Sequence, residues 1–198
     1  DAETNHSRIR ELMKILFPFY YEYTYDYVVS GSEYFNDYLS SAFDLNKEQL
    51  LTTGLPRNDV FFNQKKSEFL EFVIAKFNEP NIICYLPTFR DFDKSYNLFS
   101  NHNFNLESWS EFFIENNTIL LLKLHPASTL PTNLLKDDRI IVIDDSDESD
   151  LNLMLKYVNI LITDYSSVYF DFLLTRRPIV LAPFDYDEYI EKSREMYF

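Results

Sequence analysis

Glycine is nearly missing from this chain: Gly31 and Gly54 are the only two in 198 residues. That scarcity excludes both a Gly-rich dinucleotide fingerprint and a P-loop, because each needs several glycines close together. Any phosphate site must be built another way. Cysteine is almost as scarce. The single Cys84 sits in the apolar run Ile82-Ile83-Cys84-Tyr85, so no disulfide framework and no zinc spacing can form. It reads as a buried strand residue in a reducing compartment. Basic residues are few, 18 Lys and Arg against 32 Asp and Glu, for a net charge of −14. A chain so acidic lacks the broad electrostatic face that nucleic acid requires. It can still hold a small anion locally, through backbone N–H groups and a few cations. No apolar run approaches the length of a membrane span, and no signal-peptide pattern is visible.

Apolar and aromatic residues are plentiful, at 46% and 18%. The length fits one large domain, or one domain plus part of another. The chain opens on Asp1 rather than Met and stops at Phe198 just past a helical pattern, which fits a piece of a longer polypeptide. Residues 9–25 are apolar and aromatic with helical leaning, broken by Pro18. Residues 26–30 read as a short strand. Tyr34, Phe35, Tyr38, Leu39, Ala42 and Phe43 then fall on one face of an amphipathic helix, with Ser30 and Glu33, or Ser32 alone, as its cap. A turn at 54–59 precedes a helix over 65–77. Asn78-Glu79-Pro80 ends that helix and marks the expected domain boundary, giving domains 1–78 and 79–198.

Beyond that boundary the alternation is regular. Strands are predicted over 82–86, 119–124, 140–143, 158–163 and 179–182, and helices over 106–115, 150–157, 166–176 and 186–194. The strands are continuous apolar runs rather than alternating ones. That pattern predicts an α/β fold, a Rossmann-like parallel sheet buried on both faces by helices.

Three predicted strand ends carry groups suited to phosphate. One strand runs into Thr163-Asp164-Tyr165-Ser166-Ser167 before a helix begins. Free N–H groups and two serine hydroxyls there would make an anion cradle without glycine; the competing reading is that Ser166 is simply an N-cap. Arg176 and Arg177 suit the negative end of that helix. A second strand ends in Lys123-Leu124-His125-Pro126, where His125 could donate to a phosphate or move a proton, or be an ordinary loop histidine. A third ends in Pro87-Thr88-Phe89-Arg90-Asp91, a hydroxyl and a guanidinium apt for phosphate, or else a surface Arg–Asp pair. Arg57 and Asp59 after Pro56 are further candidates, or a self-paired turn. His6 and His102 read as surface residues. The acidic stretch 144–150 lacks EF-hand spacing and reads as a solvated loop whose Ser149 or Asp150 caps the next helix.

These segments, in this order, resemble the CDP-glycerol glycerophosphotransferases of teichoic-acid and capsule synthesis. The resemblance runs from about Asp26 to Phe198. It is carried by Gly54-Leu55-Pro56-Arg57-Asn58-Asp59, Leu86-Pro87-Thr88-Phe89-Arg90, Lys123-Leu124-His125-Pro126 and Thr163-Asp164-Tyr165-Ser166-Ser167-Val168-Tyr169-Phe170-Asp171, then by Arg177-Pro178-Ile179 through Tyr186 and by Glu195-Met196-Tyr197-Phe198. It implies the carboxyl-terminal, donor-binding half of a two-domain glycosyltransferase-B architecture, with residues 1–78 ending the acceptor-side domain. The implied reaction moves glycerol phosphate, or a similar polyol phosphate, from a CDP-activated donor to a growing polymer. His125 is similar to the family's second catalytic-site histidine. Ser166 and Ser167 are similar to its donor-phosphate contacts, with Asp164 orienting the turn; Thr88, Arg90 and Lys123 complete the expected donor set. No metal and no other cofactor is implied. The implied partners are the CDP-polyol donor and a lipid-linked acceptor, at the inner, cytoplasmic face of the membrane. The alternatives are a nucleotide-sugar glycosyltransferase of the same architecture and a non-catalytic nucleotide-binding module. One departure stands out: the family's His-Gly motif, its proposed base, has no counterpart here, since His6 is followed by Ser7. The chain is therefore expected to hold the donor site without a complete active site.

Overall fold

A computed structural model describes residues 25–90, 92–93, 99, 105–125, 128, 137–144 and 146–192. The expected helical segment at 9–25, apart from Tyr25, and His6, His102, Asp91, Pro126 and the 195–198 tail lie outside the described residues. The chain divides into two compact units, Asp1–Pro56 and Arg57–Phe198. The segment Asn78-Glu79-Pro80, expected as a boundary, therefore falls inside the second unit. The physical reason is the helix before it, whose Leu70 and Val73 are buried in one core with Ile82, Cys84 and Ile119.

In the first unit, strand β1 (Val28–Ser30) pairs in parallel with β2 (Leu50–Thr52), Val28 opposite Leu50. Between them lie a 3-10 turn at Glu33–Phe35 and helix α1 (Asn36–Phe43). Asn36 Nδ2 donates to Thr52 Oγ1 at 3.0 Å, fastening α1 to β2. The expected serine cap is not formed: the Ser30 hydroxyl donates to Ser32 O instead, and Ser32 makes no side-chain cap. Tyr34, Tyr38 and Phe43, the expected apolar face, remain exposed.

The second unit is built on a five-stranded parallel sheet. Its strands are β3 (Asn81–Leu86), β4 (Thr118–Leu122), β5 (Ile140–Val142), β6 (Ile160–Thr163) and β7 (Ile179–Leu181). Their spatial order is β5-β4-β3-β6-β7. Alternate side chains go to opposite faces, as a strand requires. Ile82, Cys84, Leu86, Ile119 and Leu121 enter one core, while Ile83, Tyr85, Leu120 and Leu122 enter the other. Both faces are apolar because both are covered, which is why the strands read as unbroken hydrophobic runs.

The first face is covered by α2 (Glu68–Lys76), α4 (Leu151–Leu155) and α5 (Val168–Phe172), through Leu70, Met154, Leu155 and Phe172. On the second face α3 (Leu106–Glu115) buries Phe113 completely. Full burial of each such side chain contributes about 1.5–3 kcal/mol. Side-chain caps start the helices: Ser67 accepts from Leu70 N, Asn105 from Ser108 N and Asp150 from Leu153 N. Asp150 is thus the cap that the acidic stretch was expected to supply. With so little glycine, helix exits use other residues in the left-handed region: Asp44, Asn78, Glu79, Asn117 and Arg176, with φ between 43° and 56°.

Candidate functional site

In the order β5-β4-β3-β6-β7 the chain runs outward from β3 in one direction and then returns to run outward from β6. The strand order therefore reverses between β3 and β6, and in such sheets ligands bind outside the carboxyl ends at that reversal. The two loops leaving this point are Pro87-Thr88-Phe89-Arg90 and Asp164-Tyr165-Ser166-Ser167.

They are locked together by one carboxylate. Asp164 Oδ1 accepts from Thr88 N at 2.8 Å and Tyr165 N at 2.7 Å, and Oδ2 accepts from Arg90 Nη2 at 2.8 Å. Beneath them, Thr163 Oγ1 donates to Leu86 O at 2.6 Å. Arg90 also donates to Asp185 from Nε at 2.7 Å and Nη2 at 2.9 Å, and to Thr88 O. Its guanidinium lies 5.0 Å from the ring centre of Tyr165 and 4.7 Å from that of Tyr189, and these two rings stack on one another at 4.0 Å. Burial alone would lower the Arg90 pKa, but the bonds to Asp185 and the charge of Asp164 outweigh it and raise it. Burial and then the charge of Asp185 raise Tyr165, whose hydroxyl donates to Asp185 at 3.1 Å.

This arrangement revises the expectation for Arg90. It is 1% exposed, so it is neither an open phosphate ligand nor a surface pair; its donors hold Thr88 and Asp164 in place. No local pattern announces this, because Asp185 lies 95 residues away. Thr88 differs: its N–H and carbonyl are held, but among the described residues its buried Oγ1 has no hydrogen-bond partner. Such an orphan is uncommon in a folded protein and marks a place for a ligand or water.

Beside Ser166 and Ser167 lies a cleft of about 540 Å³, lined also by Arg57, Ser149, Asp150, Asn152 and Asp171. It gathers the amino-terminal ends of α4 and α5. Ser166 meets the cap expectation only through a 3.4 Å contact from Val168 N, and Ser167 makes no side-chain cap. Among the described residues the Ser166 and Ser167 N–H groups and the Ser167 hydroxyl make no hydrogen bond. Since α5 is only five residues long, what the cleft offers an anion is these donors rather than a long helix dipole.

Arg57 does not pair with Asp59. Its Nε and Nη2 donate to Asp171 at 3.0 and 3.3 Å. Asn58 Nδ2 donates to Asp171 Oδ1 at 3.0 Å, and Asn152 Nδ2 to Asn58 Oδ1 at 2.7 Å. Arg57 is held by its partner yet stays 58% exposed at the cleft. Asp59 is exposed in the 3-10 helix Pro56–Phe61 and does not line the cleft. His125 is exposed beyond the carboxyl end of β4, its imidazole stacked 4.0 Å from the Phe89 ring. Lys123 Nζ reaches Glu148 O at 3.3 Å. Arg177 does not serve the end of its own helix: it donates to Lys156 O and Val158 O, just beyond α4. Among the described residues no group of three or more His, Cys, Asp or Glu could hold a metal ion, and no helix is long and apolar enough to cross a membrane.

The fold and its reversal point define a doubly wound α/β domain with a polar cleft at the carboxyl edge of the sheet. Residues 13–198 match the family described as CDP-glycerol:poly(glycerophosphate) glycerophosphotransferase, and the chain belongs to it. Among its relatives, the teichoic acid glycerol-phosphate transferase of Staphylococcus aureus is 30% identical over 87% of this chain and 45% of its own length. The teichoic acid glycerol-phosphate primase of Bacillus spizizenii is 33% identical over 84% of this chain and 42% of its own. A solved structure of the wall teichoic acid polymerase TagF superposes with a TM-score of 0.64 at 30% identity, over 85% of this chain and 41% of that one. The chain thus spans less than half the length of these relatives.

Proposed function

We propose that this chain binds a CDP-activated polyol phosphate and serves its transfer to a growing teichoic-acid-like polymer. The observation that carries the reading is the cleft at the sheet's carboxyl edge, where uncommitted donors of Ser166 and Ser167 stand beside a tethered Arg57. Family membership supplies the donor's chemistry. The names of relatives include both glycerol-phosphate and ribitol-phosphate enzymes, so the reading is kept at polyol phosphate.

In the proposed reaction an acceptor hydroxyl oxygen attacks the donor β-phosphorus. The new P–O bond forms as the bond to the bridging oxygen breaks, and CMP leaves with the electron pair. The protein's task is positioning and charge stabilisation, as phosphoryl transfer demands. Ser166, Ser167 and Arg57 hold the diphosphate, with Thr88 Oγ1 as a further donor. Arg90 and Asp164 position these loops without touching the donor. His125 donates to the transferring phosphate. The chain has no His-Gly pair, so none of its residues is assigned as the base that takes the hydroxyl proton. A lipid-linked acceptor, met at the inner face of the membrane, completes the proposal.

Calorimetry with CDP-glycerol tests it. Ser166→Ala combined with Ser167→Ala should weaken binding at least tenfold, about 1.4 kcal/mol. Unchanged affinity would defeat the assignment, and binding confined to UDP-sugars would replace the donor class.

A further inference from the structure

A second cleft, of about 610 Å³, lies at the other ends of α4 and α5, lined by Lys65, Lys66, Lys156 and Arg177 with Glu71 as its one carboxylate. Such a concentration of cations is unexpected in a chain of net charge −14. Two of them are neutralised: Lys65 pairs with Asp150 at 2.9 Å and Lys66 with Glu71 at 3.1 Å. Among the described residues the other two meet only carbonyl oxygens. Lys156 Nζ donates to Lys65 O at 3.0 Å and to Asn63 O, and Arg177 Nη1 to Lys156 O at 2.8 Å and Val158 O at 2.6 Å. A carbonyl satisfies a donor without cancelling its charge. Two positive charges therefore stand uncompensated, and among the described residues the Nε and Nη2 groups of Arg177 make no hydrogen bond. That edge of a guanidinium matches two oxygens of one phosphate. The flanks are apolar, with Phe62 74% and Leu174 45% exposed.

We propose that this cleft is a second anion site, separate from the serine cleft, and that it takes a phosphodiester. A phosphodiester carries one negative charge and two free oxygens, which fit Arg177 and Lys156. It also carries an organic group on either side, which fits Phe62 and Leu174. The same chemistry occurs in a soluble glycerophosphodiester and in a phospholipid headgroup, and the test separates them. Binding of glycerophosphoglycerol is measured by calorimetry, and co-sedimentation is measured with vesicles of phosphatidylglycerol in phosphatidylcholine. Binding of the soluble diester assigns the free source, and binding of vesicles alone assigns the headgroup. In either case Lys156→Gln with Arg177→Gln should weaken binding more than tenfold. The exposed pair Lys65→Gln with Lys66→Gln, which leaves those carbonyl bonds intact, should weaken it severalfold. Raised salt should weaken it further. Ser166→Ala with Ser167→Ala should leave it unchanged, so this site can fail without the donor site failing. No binding of either probe, or equal binding by the charge variants, would overturn the proposal.

Discussion

Arg90→Met is the most informative single change to the carboxyl edge of the sheet. In the native protein the guanidinium serves two carboxylates whose side chains are 3% and 5% exposed, through charge-assisted bonds of 2.7, 2.8 and 2.9 Å. Deleting one partner of a buried ion pair typically costs about 3–5 kcal/mol, because the other charge is left without compensation. Here two carboxylates are left, so the upper part of that range, about 4–5 kcal/mol at pH 7, is expected. Asp185→Asn leaves Arg90 paired with Asp164 and should cost less, about 1–2 kcal/mol. Arg90 itself has a raised pKa, so its guanidinium stays charged at every pH below the ordinary arginine value. Urea unfolding reports all of this through Trp109, the chain's one tryptophan, packed 5.5 Å from Phe113. A gap below about 1 kcal/mol at pH 7 would refute the reasoning. Should Arg90→Met not fold, Arg90→Lys keeps the charge, loses the fork, and should fall between it and wild type.

Further outcomes follow from the same geometry. Asp171→Asn weakens the tether of Arg57 and should lower CDP-glycerol affinity about fivefold, or about 1 kcal/mol, by calorimetry; equal affinity would show that Arg57 does not reach the donor. Asp150→Asn keeps the cap on α4 but removes the Lys65 ion pair, so at neutral pH it should cost less than about 1 kcal/mol. Burial raises the Asp150 pKa, but the Lys65 bond and the Leu153 amide lower it further, for a net lowering from 3.8. The stability gap should therefore be present above that pH and vanish as acid protonates Asp150 in the folded state, which urea titrations at several pH values would show. Gly54→Ala places a side chain at φ 79° with open space around it, so backbone strain alone should cost about 1 kcal/mol in thermal unfolding.

The architecture of the second unit was legible where one local signal sufficed. Uninterrupted runs such as Ile119-Leu120-Leu121-Leu122 belong to strands covered on both faces, and α3 spans Leu106–Glu115 as its periodicity predicts. The short elements were harder. Nothing in Leu50-Leu51-Thr52 announces a strand, because β2 exists only through its pairing with β1. The single helix expected over 166–176 is a five-residue α5 followed by a 3-10 turn at Leu173–Thr175, closed by Arg176 at φ 56°. Ser166, Ser167 and Arg57, singled out in the sequence at a strand end and a turn, line one cleft. Partnerships were not readable: Arg57 with Asp171 and Arg90 with Asp185 join residues 114 and 95 positions apart. Composition likewise hid the cationic cleft, since an overall charge of −14 says nothing about how 18 basic residues are distributed.

Asp164 fastens the carboxyl edge of the sheet. It bonds to two amides and a guanidinium drawn from both loops, and Phe89, between Thr88 and Arg90, lies against His125. The exits of β3, β4 and β6 are thereby linked and contain no glycine at which one loop could swing without the others. Their ordering entropy is lost when the chain folds rather than when a ligand arrives. A ligand at this edge therefore meets loops already fastened to one another rather than a lid that must close over it.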